Sequence, residues 1–249
     1  MGAPRRPGTT FAMLDPMHPW SGIVSHVGAR RRNEDAWVDA PELGLFAVAD
    51  GMGGHAGGDL ASRLAAEALL TTFRSQRRDL GPEALGARLE TGFRVAEVQV
   101  RRRRVAELAR MGTTLAALAL EAGVGVVAHV GDSRDYRCRG GVVEALTRDH
   151  SYVEQMRAAG MAPARHLRHL ITRAVGSDRG PPELRRVDAR AGDTFLLCTD
   201  GLSDVLGAGH IRRVLARTYA PERSAEALVH EALRRGTQDN VTALVVRID

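Results

Sequence analysis

Apolar and polar positions along this chain follow two rhythms, and the switches between them set the order of its elements. SGIVSHVGARRRNEDAWV reads as short strands around a turn, and LGLFAVAD as a compact apolar strand bounded by Gly44 and a run of glycines. From Asp59 the period changes. Apolar residues then fall at Ala61, Leu64, Ala65, Ala68 and Leu69, a spacing that lays one stripe along one helix face. A second helix is predicted over residues 82–110, with Leu85, Leu89, Phe93, Ala96 and Val100 inward. Strand signals return at TTLAALAL, GVGVVAHV, DYRCR and VVEALT, separated by glycine-containing punctuation. Such close spacing favours antiparallel hairpins over strand–helix–strand units. Residues 150–160 read as helix, residues 163–175 as a connection with a second short helix, and ELRRVDA, DTFLLCTD and NVTALVVRI as the remaining strands. The last helices are predicted over residues 202–217 and 221–235. The pattern describes an α+β fold with helices packed outside two stacked sheets.

A chain of 249 residues that is 44% hydrophobic can bury a substantial core, and no internal repeat or second compositional regime divides it. One domain over residues 21–249 is expected, after a Pro-rich, flexible leader over residues 1–20. The net charge of +5 comes from arginine alone, since the chain has no lysine. Arginine forks onto phosphate and carboxylate, so a phosphorylated ligand suits this balance. Nucleic acid is not expected: only 4% of residues are aromatic, and no basic stripe is interleaved with stacking side chains. Arg101 to Arg104 lie on a predicted helix, where four successive residues span all faces and read as a solvated stretch. Cys138 and Cys198 fall in strand-like segments without disulfide or zinc spacing, which points to a reducing, cytoplasmic setting. The first residues lack the apolar region of a signal peptide, and no stretch has the length of a membrane span, so no membrane contact is expected.

The chemistry concentrates at strand ends. VADGMGGHAGG closes an apolar strand on Asp50 and follows it with five glycines and His55. A plain turn is one reading. A Walker-type phosphate loop is excluded, because its Gly-x-x-x-x-Gly-Lys-Ser/Thr pattern is absent. A third reading is a metal site, which needs further acids. Asp200 ends FLLCTD, Asp132 follows VVAHVG, and Asp239 stands immediately before NVTALVV. One such acid alone is ordinarily a turn residue or a helix cap. Several can converge at one point only if a cation neutralises them. Oxygen ligands without histidine or cysteine favour Mg²⁺ or Mn²⁺ over Zn²⁺. Two such ions about 3.5–4 Å apart clamp an in-line phosphoryl displacement, with Asp50 as a bridging ligand and the Gly51 carbonyl turned to the metal. The only two asparagines, Asn33 and Asn240, both stand beside candidate acids.

From Ser21 to the C-terminus, the motifs RRRNEDAW, FAVADGMGGHAGG, MGTTLAAL, VGDSRDY, LTRDHS, ITRAVG, FLLCTDGLSD and QDNVTALVV follow in order. In these the chain resembles the metal-dependent serine/threonine protein phosphatases of the PPM family, type 2C, in their compact bacterial form. The resemblance implies a central β-sandwich of two antiparallel sheets flanked by helix pairs, an αββα four-layer fold. It also implies two core Mn²⁺ or Mg²⁺ ions and hydrolysis of phosphoserine and phosphothreonine by metal-bound water, without a covalent enzyme intermediate. By position, Asp50 resembles the bridging ligand, Gly51 the carbonyl ligand, and Asp200 and Asp239 the remaining direct ligands. Glu34 and Asp35 would act through waters or from close behind, and Asp132 with Asp200 would hold a third, weaker metal. Arg30, four residues before Glu34, takes the place of the phosphate-binding arginine, with Arg31 and Arg32 as competitors. His55 is the candidate general acid for the leaving seryl oxygen. Eukaryotic relatives place a histidine directly after Asp-Gly, where Met52 stands here. The segment RAAGMAPARHLRHLITRAVG is shorter than the corresponding flap of bacterial relatives. The implied partners are phosphorylated proteins, a Ser/Thr kinase or its targets, met by a monomer. A pseudophosphatase that binds phosphoproteins without hydrolysis is the alternative, and the complete acidic set argues against it; a metal-dependent nuclease is a third class. The other histidines, His129 and His150 among them, lack ligand spacing and read as ordinary surface or core residues.

Overall fold

The computed structural model describes residues 19–53, 57–76, 81–163, 167, 170–217 and 220–249. Two antiparallel sheets lie face to face. The first is ordered β1 (Pro19–His26), β11 (Val241–Ile248), β10 (Thr194–Cys198), β7 (Arg134–Arg139), β8 (Val142–Ala145). The second runs β2 (Asp35–Ala40), β3 (Leu45–Met52), β5 (Leu115–Glu121), β6 (Val124–Val130), β9 (Glu183–Asp188), with β4 (Gly112–Thr113) paired to the end of β3. Helices α1 (Gly58–Ser75) and α2 (Leu85–Arg103) cover the second sheet, and α3 (Tyr152–Ala158) follows β8. The one-turn α4 (Asp200–Ser203), with α5 (Ala208–Leu215) and α6 (Pro221–Arg234), covers the first sheet.

Three apolar layers hold this stack together. Leu45, Ala47 and Ala49 of β3 face α1 and α2, while Phe46 and Val48 face the opposite sheet. On β11, Val241, Ala243 and Val245 pack toward α6, while Leu244, Val246 and Ile248 lie between the sheets. A strand covered on both faces needs apolar residues at every position, which is why LFAVA and LVV read as unbroken runs rather than alternations. Burying side chains such as Phe46, Phe195, Leu118 and Leu197 contributes about 1.5–3 kcal/mol each. The expected four-layer αββα order is the one observed.

Three predicted helices are corrected. The helix expected over residues 82–110 is regular only over Leu85–Arg103, after a separate 3₁₀ turn at Pro82–Ala84. Ala106 takes φ 50°, which a helix cannot contain, and the Arg104 guanidinium donates to the Ala109 and Gly176 carbonyls. The backbone N–H groups of Gly176 and Asp178 in turn donate to the Glu97 carboxylate at 2.5 and 2.9 Å. Residues 104–110 therefore serve as a tie to the segment after the flap. The helix expected over residues 202–217 is two pieces, α4 and α5, broken where Gly207 takes an extended conformation as the N-cap of α5. The helix expected over residues 150–160 narrows to α3, whose Ser151 Oγ accepts from the Glu154 N–H. In the connection expected over residues 163–175 to contain a second short helix, residues 170–175 are not helical, while residues 164–166 and 168–169 lie outside the described residues, as does the leader up to residue 18.

Candidate metal centre and phosphate site

Strand ends of both sheets open onto one cavity of about 1040 Å³. Its wall carries Arg30, Arg31, Arg32 and Glu34 from the β1–β2 connection, Asp50 and Gly51 from β3, and Asp132 from the β6–β7 turn. Asp200 enters from the start of α4, and Asp239 from just before β11. The Asp50 N–H donates to Thr114 Oγ1 at 2.9 Å, and the Asp50 carbonyl accepts from Thr113 Oγ1 at 2.8 Å and the Thr114 N–H at 2.9 Å. Thr114 Oγ1 also pairs with Ser133 Oγ at 2.7 Å, so this threonine step ties the end of β3 to the turn bearing Asp132. A Cβ on Gly58 would overlap Glu34 Oε2, and one on Gly51 would overlap the Gly58 carbonyl. The absence of side chains there lets the start of α1 close directly onto the acids.

Asp35 stands opposite Asp50 in the β2–β3 register. It lies behind the cavity wall and is 8% exposed. Its Oδ2 accepts from Thr242 Oγ1 at 2.6 Å and Thr199 Oγ1 at 3.0 Å, while Oδ1 has no hydrogen-bond partner among the described residues. Asn240 fixes the arginine-bearing connection. Its Nδ2 donates to the Val27 and Arg32 carbonyls, both at 2.8 Å, and its Oδ1 accepts from the Glu34 N–H at 2.8 Å. Asn33 performs a similar service, donating to Ser25 Oγ and accepting from the Asp35 N–H. Both asparagines thus hold the backbone that carries the acids, a role that their positions beside those acids did not by themselves specify.

The electrostatics record how closely these acids converge. Burial pushes Asp50 well above the usual carboxylate range, reinforced by Asp35, Asp200, Asp132 and Asp239 in that order. Asp35 is pushed up to about 7 by burial, against the two threonine hydrogen bonds and with help from Asp200 and Asp239. Asp132 is pushed up to about 8 by burial and then by Asp200, Asp149 and Asp204. Glu34 is raised by burial and by Asp59. Carboxylates so placed cannot all ionise unless a cation joins them. Among the described residues the wall offers no histidine or cysteine, and an oxygen-only donor set with an unpartnered buried oxygen behind it fits hard divalent cations. Arg30 stands at the same wall and donates from Nη2 to Asp239 Oδ2 at 2.6 Å, the contact that chiefly raises its pKa.

The structure brings Arg30, Asp50, Gly51, Asp132, Asp200 and Asp239 to one wall and Asp35 behind it, while His55 lies outside the described residues. Three features had no reading in the sequence: the threonines that orient Asp50 and Asp35, the contribution of Asp204 to the wall, and a second polar cluster. The threonine contacts and the polar cluster join residues far apart in the chain, so spacing carried no signal for them, whereas Asp204 stands four residues after Asp200 within FLLCTDGLSD. In that cluster His129 and His150 stack at 4.5 Å with planes 11° apart, and their ligand atoms and that of Glu183 lie within 4.8 Å of one another. His150 Nδ1 accepts from the Gly131 N–H, which leaves the proton on Nε2, 3.0 Å from Glu183 Oε1. Arg173 Nη1 stands 3.0 Å from the same Nε2 and 3.4 Å from Glu183 Oε1. A guanidinium already supplies the positive charge at that place, and near-parallel rings do not aim their lone pairs at one ion. The cluster is an ion-paired support under Thr172, whose N–H donates to the His150 carbonyl at 2.7 Å.

Comparison with known proteins agrees with this geometry. The serine/threonine protein phosphatase PstP of Mycobacterium tuberculosis is 36% identical over 224 residues, covering 88% of this chain and 43% of that protein. The chain thus spans less than half the length of this curated relative. PppA, a regulatory component of the T6SS in Pseudomonas aeruginosa, superposes with a TM-score of 0.83 at 40% identity, covering 93% of this chain and 98% of that one. The catalytic domain of PstP in complex with two manganese ions superposes with a TM-score of 0.81 at 34% identity, covering 94% and 99%. A profile of the family described as Protein phosphatase 2C matches residues 24–240, from within β1 to the residue before β11. With the four layers, the acid-lined cavity and this match in agreement, the chain belongs to the protein phosphatase 2C family.

Proposed function

We infer that this chain hydrolyses phosphoserine and phosphothreonine in proteins with two Mn²⁺ or Mg²⁺ ions, reversing a Ser/Thr kinase. The observation that carries the reading is the convergence of Asp50, Asp132, Asp200 and Asp239 from separate strand ends on one cavity that also holds an arginine. In this reading Asp50, the Gly51 carbonyl, Asp200 and Asp239 would hold the two ions directly, Glu34 at the wall and Asp35 behind it would act through waters or as close supporting acids, and Asp132 with Asp200 would hold a weaker third ion. When bound, the ions lower the pKa of water and neutralise the charge that builds up in phosphoryl displacement.

The chain's own groups position the rest. Thr113 and Thr114 fix the Asp50 backbone, and Thr199 and Thr242 fix Asp35. Arg30 grips two phosphoryl oxygens, trading part of its contact with Asp239 for the substrate. His55 donates a proton to the leaving seryl or threonyl oxygen. Three apolar layers within one chain support a single domain over residues 21–249, which Pro19 and Trp20 of the expected leader join through β1, and in this reading the chain acts as a monomer. Two buried free cysteines, Cys138 and Cys198, support a reducing, cytoplasmic setting. Among the described residues, no helix is long and apolar enough to cross a membrane.

The test is incubation of the purified chain with a phosphothreonine peptide in saturating Mn²⁺. Release of inorganic phosphate is the expected result. Binding of the peptide without release would make the chain a phosphoprotein-binding module, and cleavage of nucleic acid lost in Asp50→Asn would make it a nuclease.

A further inference from the structure

We propose that Arg31 selects phosphopeptides carrying a second anionic group, a carboxylate or a second phosphate, one or two residues from the phosphorylated side chain. The proposal rests on the phosphatase reading above and adds a substrate class to it. Three consecutive arginines reach the cavity wall, but they are not equivalent. Arg30 is engaged with Asp239, and the charge of Arg32 acts on Glu34. Arg31 is exposed and meets no carboxylate among the described residues. Elsewhere in the same molecule arginines stand in tight pairs: Arg134 with Asp149, Arg139 with Asp193, Arg186 with Glu83. An uncommitted guanidinium on the wall of a phosphate site is weakly hydrated and shaped to fork onto an anion.

The backbone around Arg31 is pinned rather than free. Asn240 binds the Val27 carbonyl before it and the Arg32 carbonyl and Glu34 N–H after it. A receptor held in place by its support loses less freedom on binding. An extended peptide advances about 3.3–3.6 Å per residue. With the phosphate on Arg30, an anionic side chain one or two residues away would lie about 3.3–7 Å along the peptide, within reach of the cavity wall that Arg31 also lines.

The experiment compares three phosphothreonine peptides that differ only in their flanking residues: alanine, glutamate, or a non-hydrolysable phosphonate. kcat/KM is measured in Mn²⁺ at low ionic strength, and equilibrium binding of the same peptides is followed by fluorescence anisotropy. The wild-type chain should favour the glutamate and phosphonate peptides over the alanine peptide by about three- to fivefold, the scale of an exposed ion pair. That preference should fade in about 1 M salt, where the Debye length is about 3 Å. Arg31→Glu should bring both ratios to one or below, and Arg31→Lys should keep them. A preference for the phosphonate alone would assign the site to phosphate rather than carboxylate. A wild-type ratio near one, or a ratio unchanged in Arg31→Glu, would overturn the proposal. Failure to hydrolyse even the alanine peptide would overturn the phosphatase reading instead, and the binding ratios would still decide the role of Arg31.

Discussion

Arg30 and Asp135 illustrate two opposite fates of a charged residue in this fold. Arg30 is open to solvent on its wall, its side chain 59% exposed, and under the proposed function it would exchange its hydrogen bond to Asp239 for a phosphate. Arg30→Ala should therefore act mainly on KM, raising it about tenfold or more, the scale of a charged hydrogen bond. Steady-state kinetics on a phosphothreonine peptide measures this, and an unchanged KM would move the clamp to a neighbouring arginine. Asp135 is 1% exposed, and neither of its carboxylate oxygens has a hydrogen-bond partner among the described residues. Burial alone pushes it well above the usual carboxylate range. The folded chain keeps this proton after the unfolded chain has released it near pH 4. Stability must then fall as pH rises from about 4 toward the raised folded value. Asp135→Val should raise the melting temperature, and more at pH 8 than at pH 5; an equal effect at both would contradict the assignment. The sequence placed Asp50, Asp132, Asp200 and Asp239 correctly on strand ends because position along a strand is a local property. It was silent on Asp135, because alternation in DYRCR sets Asp135 with Arg137 and Arg139. In the structure those arginines reach Asp188 and Asp193 at the open margin of the sandwich, while Asp135 lies deeper.

At the scale of elements, the site depends on close backbone approaches that only small residues permit. Gly22 on β1 is one: a Cβ there would overlap the backbone of Pro221 and Glu222 at the start of α6. Gly22→Ala should cost about 1–3 kcal/mol, as other overpacked contacts do, read as a lower urea midpoint with an unchanged m-value. A neutral result would mean that α6 shifts freely over the first sheet. Strand identities were legible because covered strands are apolar at every position, and α1 because its stripe has a helical period. Helix ends were not. The stop at Arg103 comes from the turn at Ala106 and the reach of Arg104 to Gly176, and the break before α5 from Gly207; neither contact leaves a periodic trace. The threonine supports of Asp50 and Asp35 escaped for the same reason, since Asp35 meets Thr199 and Thr242 across 164 and 207 positions of chain.

The whole molecule is two sheets whose strand ends gather acids that repel one another, a repulsion that the proposed cations would relieve. The architecture was readable as stacked sheets with outer helices, and the pairing order β1-β11-β10-β7-β8, which closes the first strand onto the last, emerges only in three dimensions. That closure carries Asp239 to Arg30. Divalent-cation dependence is therefore the property on which the account stands. The most direct test measures phosphate release from a phosphothreonine peptide as Mn²⁺ is titrated into metal-stripped protein, for the wild-type chain and for Asp239→Asn with its fold checked by circular dichroism. The account predicts no release without metal, a saturable rise with Mn²⁺ in the wild type, and a loss of about a hundredfold or more in the folded variant. Release that persists in the stripped protein, or that survives undiminished in Asp239→Asn, would contradict it.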